Sequence, residues 1–511
     1  MFPSVGSLDR AEDAALIDAI TGATRAESQA AAVRLAAVAE LIDRRCDDQD
    51  GRELWACDGW AEVGAEVGAA LTINARAASA QMRIAIALRD RVPAVGALLA
   101  AGTITASIAG TITWHTHNVT DPEVLAMLDA CLAGAVTEWG PLSREAMIVE
   151  IKKWVHKFDP HAVRETRDAA RGRGINFGKP NDEAGTASVW GALLYSDAQL
   201  FERALTELAA TVCADDPRTK AQRYGDAVGV LSVRGERMTC LCGKPDCAAA
   251  SVPDSRAAAV IIHVLADVRP EPRFDPELNA PIQRPPVADP APVPAAARYQ
   301  PVGYFMNRQI LPPNMLADLL ARGAKVAQVP TAEQAGGVER YRPSAAQVRF
   351  VRMRHLTCTF PGCDKPATHC DIDHSTPWPQ GPTHVANLAP KCRQHHLLKT
   401  FWTGPGGWSD RQDSDGTIVR TAPTGHQYRN VPGSRIMFPN IPFDTPPPSP
   451  TNGNAATTAP GRGLMMPTRR RTRAQDQAAR IAYERQLSAQ CEAEKAAEHA
   501  RPITNDIPPP F

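Results

Sequence analysis

The chain has 511 residues and 44% hydrophobic content, enough for two or three domains with real cores. Its 56 Lys and Arg balance 56 Asp and Glu, so no whole-chain charge excess marks a nucleic-acid binder, and any such attraction has to be local. The opening stretch MFPSVGSLDRAEDAALIDA lacks a basic region followed by an apolar run, and the strongest apolar patch, Ala257 to Ala266, is too short to cross a bilayer. A soluble cytoplasmic protein with no membrane partner and with reduced cysteines is expected.

From about Leu8 to Trp154 the chain is alanine-rich with helical periodicity. Leu35, Val38, Leu41 and Ile42 recur at three and four, the buried stripe of an amphipathic helix. A further helix is predicted over Ala75 to Asp90. The stretch PAVGALLAAGTITASIAGTI predicts two short helices joined at Gly102, a corner of helix-turn-helix type. A DNA-reading version would place the second helix in a groove. Ile104, Ile108 and Ile112, spaced by four with no basic cluster behind them, favour core packing instead. His115 and His117 read as ordinary surface or interface residues.

Residues 186–231 predict a short strand followed by two helices. Arg218, Lys220 and Arg223 have the charge to meet phosphate, but Asp215, Asp216 and Asp226 beside them favour intramolecular pairing. The run CLCGKPDC sets Cys240, Cys242 and Cys247 within eight residues. With Cys213 or His263 as a fourth ligand they start a zinc site; without one they are a turn with reduced thiols, and both readings stay open. Ala257 to Val268 reads as a buried strand. The segment DPRTKAQRYGDAV after a helix, together with the earlier ALLAAGTIT, resembles the domain of unknown function 222, found in front of HNH domains in actinobacterial proteins of the 13E12 repeat family. That resemblance covers most of residues 10 to 350 and implies no catalytic residues. Residues 8–268 are accordingly expected to form a mostly helical domain with a short sheet.

Residues 269–301 are proline-dense and predict an extended linker or insertion. Residues 302–342 read as a connecting segment of the same region. A helix then begins at SAAQVRFVRMRH, where Ser344 and Gln347 have capping-box spacing. It carries Arg349, Arg352 and Arg354, the best local phosphate contacts and so the DNA-contact candidates.

The next stretch, RMRHLTCTFPGCDKPATHCDIDHSTPWPQGPTHVANLAPKCRQHHLLKT, gathers six of the thirteen histidines and four of the twelve cysteines between His355 and His396. Cys358 and Cys363 are separated by four residues, Cys392 and His395 by two, with 28 residues between the pairs. This suits a tetrahedral Cys3His structural Zn2+ site. Such an ion contributes on the order of 10–16 kcal/mol, more than so short a segment gains by burying apolar side chains. Pro361 and Gly362 suit the tight turn between the first two ligands. Cys370 reads as a small buried apolar residue rather than a fifth ligand, Asp371 as a solvated strand residue on the same face as Asp373, and His384 as a loop residue.

Inside that frame Asp373-His374, Asn387-Leu388 and the run from Cys392 through His396 to Lys399 resemble the HNH endonucleases, the ββα-metal nucleases. The family pattern is an acid or histidine next to a catalytic histidine, an asparagine about a dozen residues on, and a final histidine on a helix. The resemblance implies that His374 is the general base, that Asp373 and His396 hold one catalytic divalent ion, Mg2+ or Mn2+, and that Asn387 bridges the loop and orients His374. It also implies DNA hydrolysis to 5′-phosphate and 3′-hydroxyl ends. Two departures stand out: Asp373 replaces the commoner histidine, and His395 replaces a cysteine as the last zinc ligand. His395 and His396 point about 100° apart on a helix, so one can face each ion. Lys399, a turn further on, is either a phosphate contact or a solvated lysine.

The following FWTGPGGWSDRQDSDGTIVRTAPTGHQYRN predicts a hairpin around Asp415-Gly416, closing a nuclease domain over 343–435. Residues 436–511 read as a disordered tail with a helix near 468–500 whose basic start, Arg469 to Arg473, either attracts DNA or is simply solvated. The expected fold is α+β and multidomain. Two rivals to the nuclease reading remain: a non-catalytic zinc module that binds nucleic acid, and an interaction scaffold built on the helical half.

Overall fold

Helix formation in the first third follows the apolar stripe. In the computed structural model, α1 (Asp13–Arg45) buries Leu35, Val38, Ala39 and Ile42 at the predicted spacing, and α2 (Gly59–Leu71) and α3 (Ala75–Ile86) follow. The described residues are 11–46, 51–140, 142–163, 174–181, 186–258, 260–264, 303–304, 310–311, 313–321, 323–404, 406–438, 441, 443–445 and 465–499. The predicted linker 269–301 lies outside them. The chain divides into two compact units, residues 1–166 with 397–402 and 460–511, and residues 167–396 with 403–459. No helix among the described residues is long and apolar enough to cross a membrane.

In the first unit α4 (Pro93–Ala101) and α5 (Ala106–His115) form the corner expected at Gly102. Gly102 has φ +76° and a Cβ there would meet the Arg25 side chain at 2.4 Å, so only glycine fits. Ile104 and Ile112 are buried in the core with Ile108 packed against it, which makes the corner a packing device. His115 is buried as well, a correction to its surface reading. Helices α6 (Pro122–Glu138) and α7 (Arg144–Phe158) complete the bundle. Asp129 of α6 accepts the amides of Ala94 and Val95 at 2.8 and 3.1 Å, capping α4 from outside.

The C-terminal helix Arg473–His499 is part of this unit rather than a solvated tail. Arg473 Nε bonds Asp58 Oδ2 at 2.6 Å and Arg469 pairs with the same carboxylate. Arg485 bonds Asp159 at 2.6 Å, and the buried Ser488 donates to Val163 O at 3.0 Å. The basic start of the helix is therefore partly spent on internal pairing.

In the second unit β1 (Gly174–Asn181) pairs antiparallel with β2 (Thr186–Ala192). Helices α8 (Tyr195–Ala209) and α9 (Lys220–Ser232) follow, as predicted, and share a small core of Leu205, Leu208, Val212, Ala227, Val230 and Met238. Arg218 bonds Asp216 and Asp226, each at 2.7 Å, so its charge is used internally. Strand β3 (Ile261–Val264) lies parallel to β4 (Lys325–Gln328), and Ile261 is exposed, against the expectation of a strand buried throughout. Helix α10 (Ala345–His355) opens on the predicted capping box, Ser344 and Gln347 closing it in both directions.

Then come β5 (Cys370–His374) and β6 (Leu388–Cys392), antiparallel, and α11 (Arg393–Phe401) directly after β6. A three-stranded meander, β7 (Ser409–Gln412), β8 (Ile418–Thr421) and β9 (Gln427–Asn430), extends the hairpin predicted at Asp415-Gly416 by one strand. The architecture is α+β, with a mostly helical first part and small separate sheets.

Candidate metal centre

Cys358, Cys363, Cys392 and His395 converge so that one donor atom from each lies within 4.8 Å of the others, a group that can hold a metal ion. The turn Phe360-Pro361-Gly362-Cys363 closes through Cys363 N–H to Phe360 O at 3.0 Å, with Gly362 at φ +70°. Cys392 ends β6 and His395 lies in the first turn of α11, so one strand-to-helix junction delivers the other pair. His395 Nδ1 is 3.5 Å from Cys358 Sγ and 3.3 Å from Cys392 Sγ, and the Cys392 amide donates to Cys358 Sγ at 3.3 Å. Phe360 stacks on His395 at 3.9 Å and Trp408 packs on Phe360; Cys358, Cys392 and His395 are buried and Cys363 is half-buried. Burial works against a Cys358 thiolate, yet the converging Cys363, Cys370, Cys392 and His395 outweigh it and hold that thiol well below its ordinary range. Cys363 is pushed up by its neighbours Cys358 and Cys392, because a thiolate beside it disfavours a second negative charge. Cys370 stays outside the group, with its sulfur 3.4 Å from Pro366 O.

The β5–β6 register sets Asp371 opposite Lys391 and Asp373 opposite Ala389, so these four share one face of the hairpin. His396 meets that face. Its Nε2 is 3.5 Å from Asp373 Oδ1 and its Nδ1 is 2.9 Å from Asp371 Oδ2. The hydrogen bond to Asp373, helped by Asp371, raises the His396 pKa against the effect of burial. Asp371 is exposed, as its reading as a solvated strand residue expects, and is also a partner of His396.

His374, one residue on, projects from the opposite face of β5. It is 3% exposed, its Nε2 is 2.8 Å from Thr383 Oγ1, and Tyr341 stacks on it at 5.5 Å. Asn387 ties down the loop between the strands: its Oδ1 accepts Thr376 N–H at 2.8 Å and its Nδ2 donates to Thr376 O and Pro382 O, both at 2.9 Å. His384 is not a plain loop residue, because its Nδ1 accepts the Ala386 amide at 3.1 Å.

Of the DNA-contact candidates, Arg349 is exposed and Arg352 half-buried, and both line a groove with Val348, Met353 and Thr368. Arg354 is corrected: it is fully buried, and its Nη2 donates to Val385 O at 2.8 Å and Leu388 O at 2.9 Å. Burial lowers its pKa to about 9. Lys399 is corrected too, since it is nine-tenths buried rather than solvated.

Residues 22–355 match the family described as a domain of unknown function (DUF222). The chain belongs to the DUF222 family. It is similar to two proteins of Mycobacterium tuberculosis strain H37Rv, "Uncharacterized protein Rv2100", 46% identical over 95% of this chain and 90% of that one, and "Uncharacterized protein Rv3776", 45% identical over 93% and 90%. No solved structure matches it.

Sequence reasoning missed three charged residues of this DUF222 protein. Lys391, wholly buried, lies 3.3 Å from Asp373 Oδ2 and 3.0 Å from Asp410 Oδ2. Arg420 holds Asp410 through two bonds of 2.6 and 2.8 Å. The available signal was Lys391 itself, a lone charge at the end of the apolar run Leu388-Ala389-Pro390. Asp410 and Arg420 gave none, because they sit in an unremarkable hairpin and are brought in only by tertiary packing.

Proposed function

We propose that this chain is an HNH-type endonuclease that hydrolyses DNA phosphodiester bonds with one catalytic divalent ion, Mg2+ or Mn2+, and that Cys358, Cys363, Cys392 and His395 hold a structural zinc. The observation that carries the reading is the approach of His396 to Asp373 at 3.5 Å, with Asp371 on the other ring nitrogen. Two donors on one ion with bonds of about 2.1 Å stand about 3–3.5 Å apart, so a hard carboxylate and an imidazole at this spacing fit a small divalent cation. A proton on Nδ1, shared with Asp371, leaves the Nε2 lone pair facing Asp373, the orientation a metal-binding imidazole needs. The antiparallel strands β5 and β6 followed at once by α11 supply the β-β-helix order in which these residues occur.

In this reading Asp373 and His396 bind the ion, whose chemistry is to stabilise charge on the phosphoryl and leaving oxygens. Asp371 fixes the His396 ring. Lys391 engages the second oxygen of Asp373 and keeps that carboxylate in place. His374 takes the proton of the attacking water, and Asn387 holds the loop between the strands. Arg349 and Arg352 bind backbone phosphates and set the register of the DNA.

The rival is a non-catalytic zinc module that binds nucleic acid. The enclosure of His374 between Thr383 and Tyr341 is the observation that favours it, since a base has to reach water. Nicking of supercoiled plasmid by the full chain with Mg2+, Mn2+ or no added metal separates the two. Metal-dependent nicking that disappears in His374→Ala, at unchanged zinc content, supports the nuclease. DNA retention with equal inactivity of both proteins moves the assignment to the binding module.

A further inference from the structure

Cys213, Cys240, Cys242 and Cys247 take no part in the site above. Their four sulfur atoms lie within 4.8 Å of one another, although Cys213 follows the end of α8 and the other three follow α9. Cys213, one of the two candidates for the fourth ligand, completes the set. The Cys213 and Cys240 sulfurs are 3.4 Å apart. That is far longer than the about 2.05 Å of a disulfide, and near the about 3.8 Å edge of a tetrahedron of sulfurs bonded at about 2.3 Å to zinc.

Two further observations point the same way. Lys244-Pro245-Asp246-Cys247 is a turn with proline second, closed by Cys247 N–H to Lys244 O at 3.2 Å. It repeats the Phe360-Pro361-Gly362-Cys363 turn of the other cluster, and in both the preceding cysteine is five positions before the second. Lys244, between Cys242 and Cys247 in the chain and bonded to Asp215 at 2.7 Å, brings a positive charge to the cluster.

We infer that Cys213, Cys240, Cys242 and Cys247 form a second metal site that holds zinc as a tetrathiolate. The ion closes the chain from Cys213 to Cys247 around the whole of α9. Its role is structural: the core shared by α8 and α9 is small, and a module of this size gains from a staple. The inference does not rest on the nuclease reading, because it uses none of the same residues.

The test is metal counting on the full chain purified under reducing conditions, by elemental analysis of wild type, Cys242→Ser and Cys363→Ser. Two zinc equivalents in wild type, falling to one in either variant, are expected. Retention of the wild-type zinc content by Cys242→Ser overturns the inference, and iron in place of the second zinc overturns the choice of ion. If Cys242→Ser does not fold, Co2+ substitution of wild type decides. Two ions with thiolate charge transfer from seven sulfurs support the site, and one ion with three sulfurs overturns it. Loss of zinc from Cys363→Ser alone would count against the second site and leave the first cluster standing.

Discussion

In both cysteine clusters a proline-containing turn delivers two sulfurs, Cys358 with Cys363 in one and Cys242 with Cys247 in the other, but the remaining ligands arrive differently. Cys392 and His395 come from a strand end and the helix that follows it, and the same two elements carry Asp373's partner strand and His396. Cys213 and Cys240 come from irregular segments beside a small core. Three of the four ligands in the first cluster are buried, whereas three of the four cysteines in the second are only half-buried. A short turn motif is thus enough to present a ligand pair, while its surroundings decide how much of the molecule depends on the ion and how readily the ion leaves.

The largest effect expected from this contrast is at Cys392. Cys392→Ser should lose the ion and with it on the order of 10 kcal/mol, more than so small a segment can spare. Hydrogen exchange is expected to show loss of protection across 356–400 and at His396, while Cys242→Ser loosens only 195–258. Equal spread of exchange in the two variants would break the comparison. Lys391→Met comes next. Removing the ammonium takes a buried counter-charge away from Asp373 and Asp410, a cost of about 3–5 kcal/mol in denaturant unfolding.

A smaller effect separates the arginines of α10. Arg354→Gln leaves two buried carbonyls without their donor and should cost about 1–3 kcal/mol. Arg349→Gln and Arg352→Gln should leave stability nearly unchanged and each lower the salt slope of DNA retention by about 1. Loss of DNA retention in none of the three would remove these residues from the interface.

The smallest effect concerns Asp216, whose hydrogen bonds from Arg218 hold its carboxyl well below the usual range. A carboxylate lowered in the folded state stabilises the protein above its unfolded pKa of about 3.9, and that stability is lost as pH falls towards the folded value. The advantage of wild type over Asp216→Asn in thermal melts should therefore be constant above about pH 5 and shrink below about pH 4. An advantage unchanged down to pH 2 would mean that Asp216 acts through packing, independently of its charge.

Local chemistry makes much of the molecule legible in the order of its residues. The stripe Leu35, Val38 and Ile42, the cap Ser344 with Gln347, the corner at Gly102 and the turn at Asp415-Gly416 each depend on residues within a few positions of one another. The Cys3His group is legible for the same reason, since its ligands come as two short-range pairs. Lys391 was missed and Arg354 misread because charge in a sequence is assigned to solvent by default, and only long-range packing shows that these two are buried.

By itself the sequence determined which segments turn, cap and present ligands, because backbone sterics and side-chain spacing act over one or two turns of chain. Tertiary structure alone decided that Asp371 and Asp373 meet His396, that Tyr341 stacks on His374, and that Cys213 joins Cys240, Cys242 and Cys247. Each of these depends on strand register or helix packing between residues far apart in the chain, where burial and mutual charge, rather than local propensity, select the arrangement.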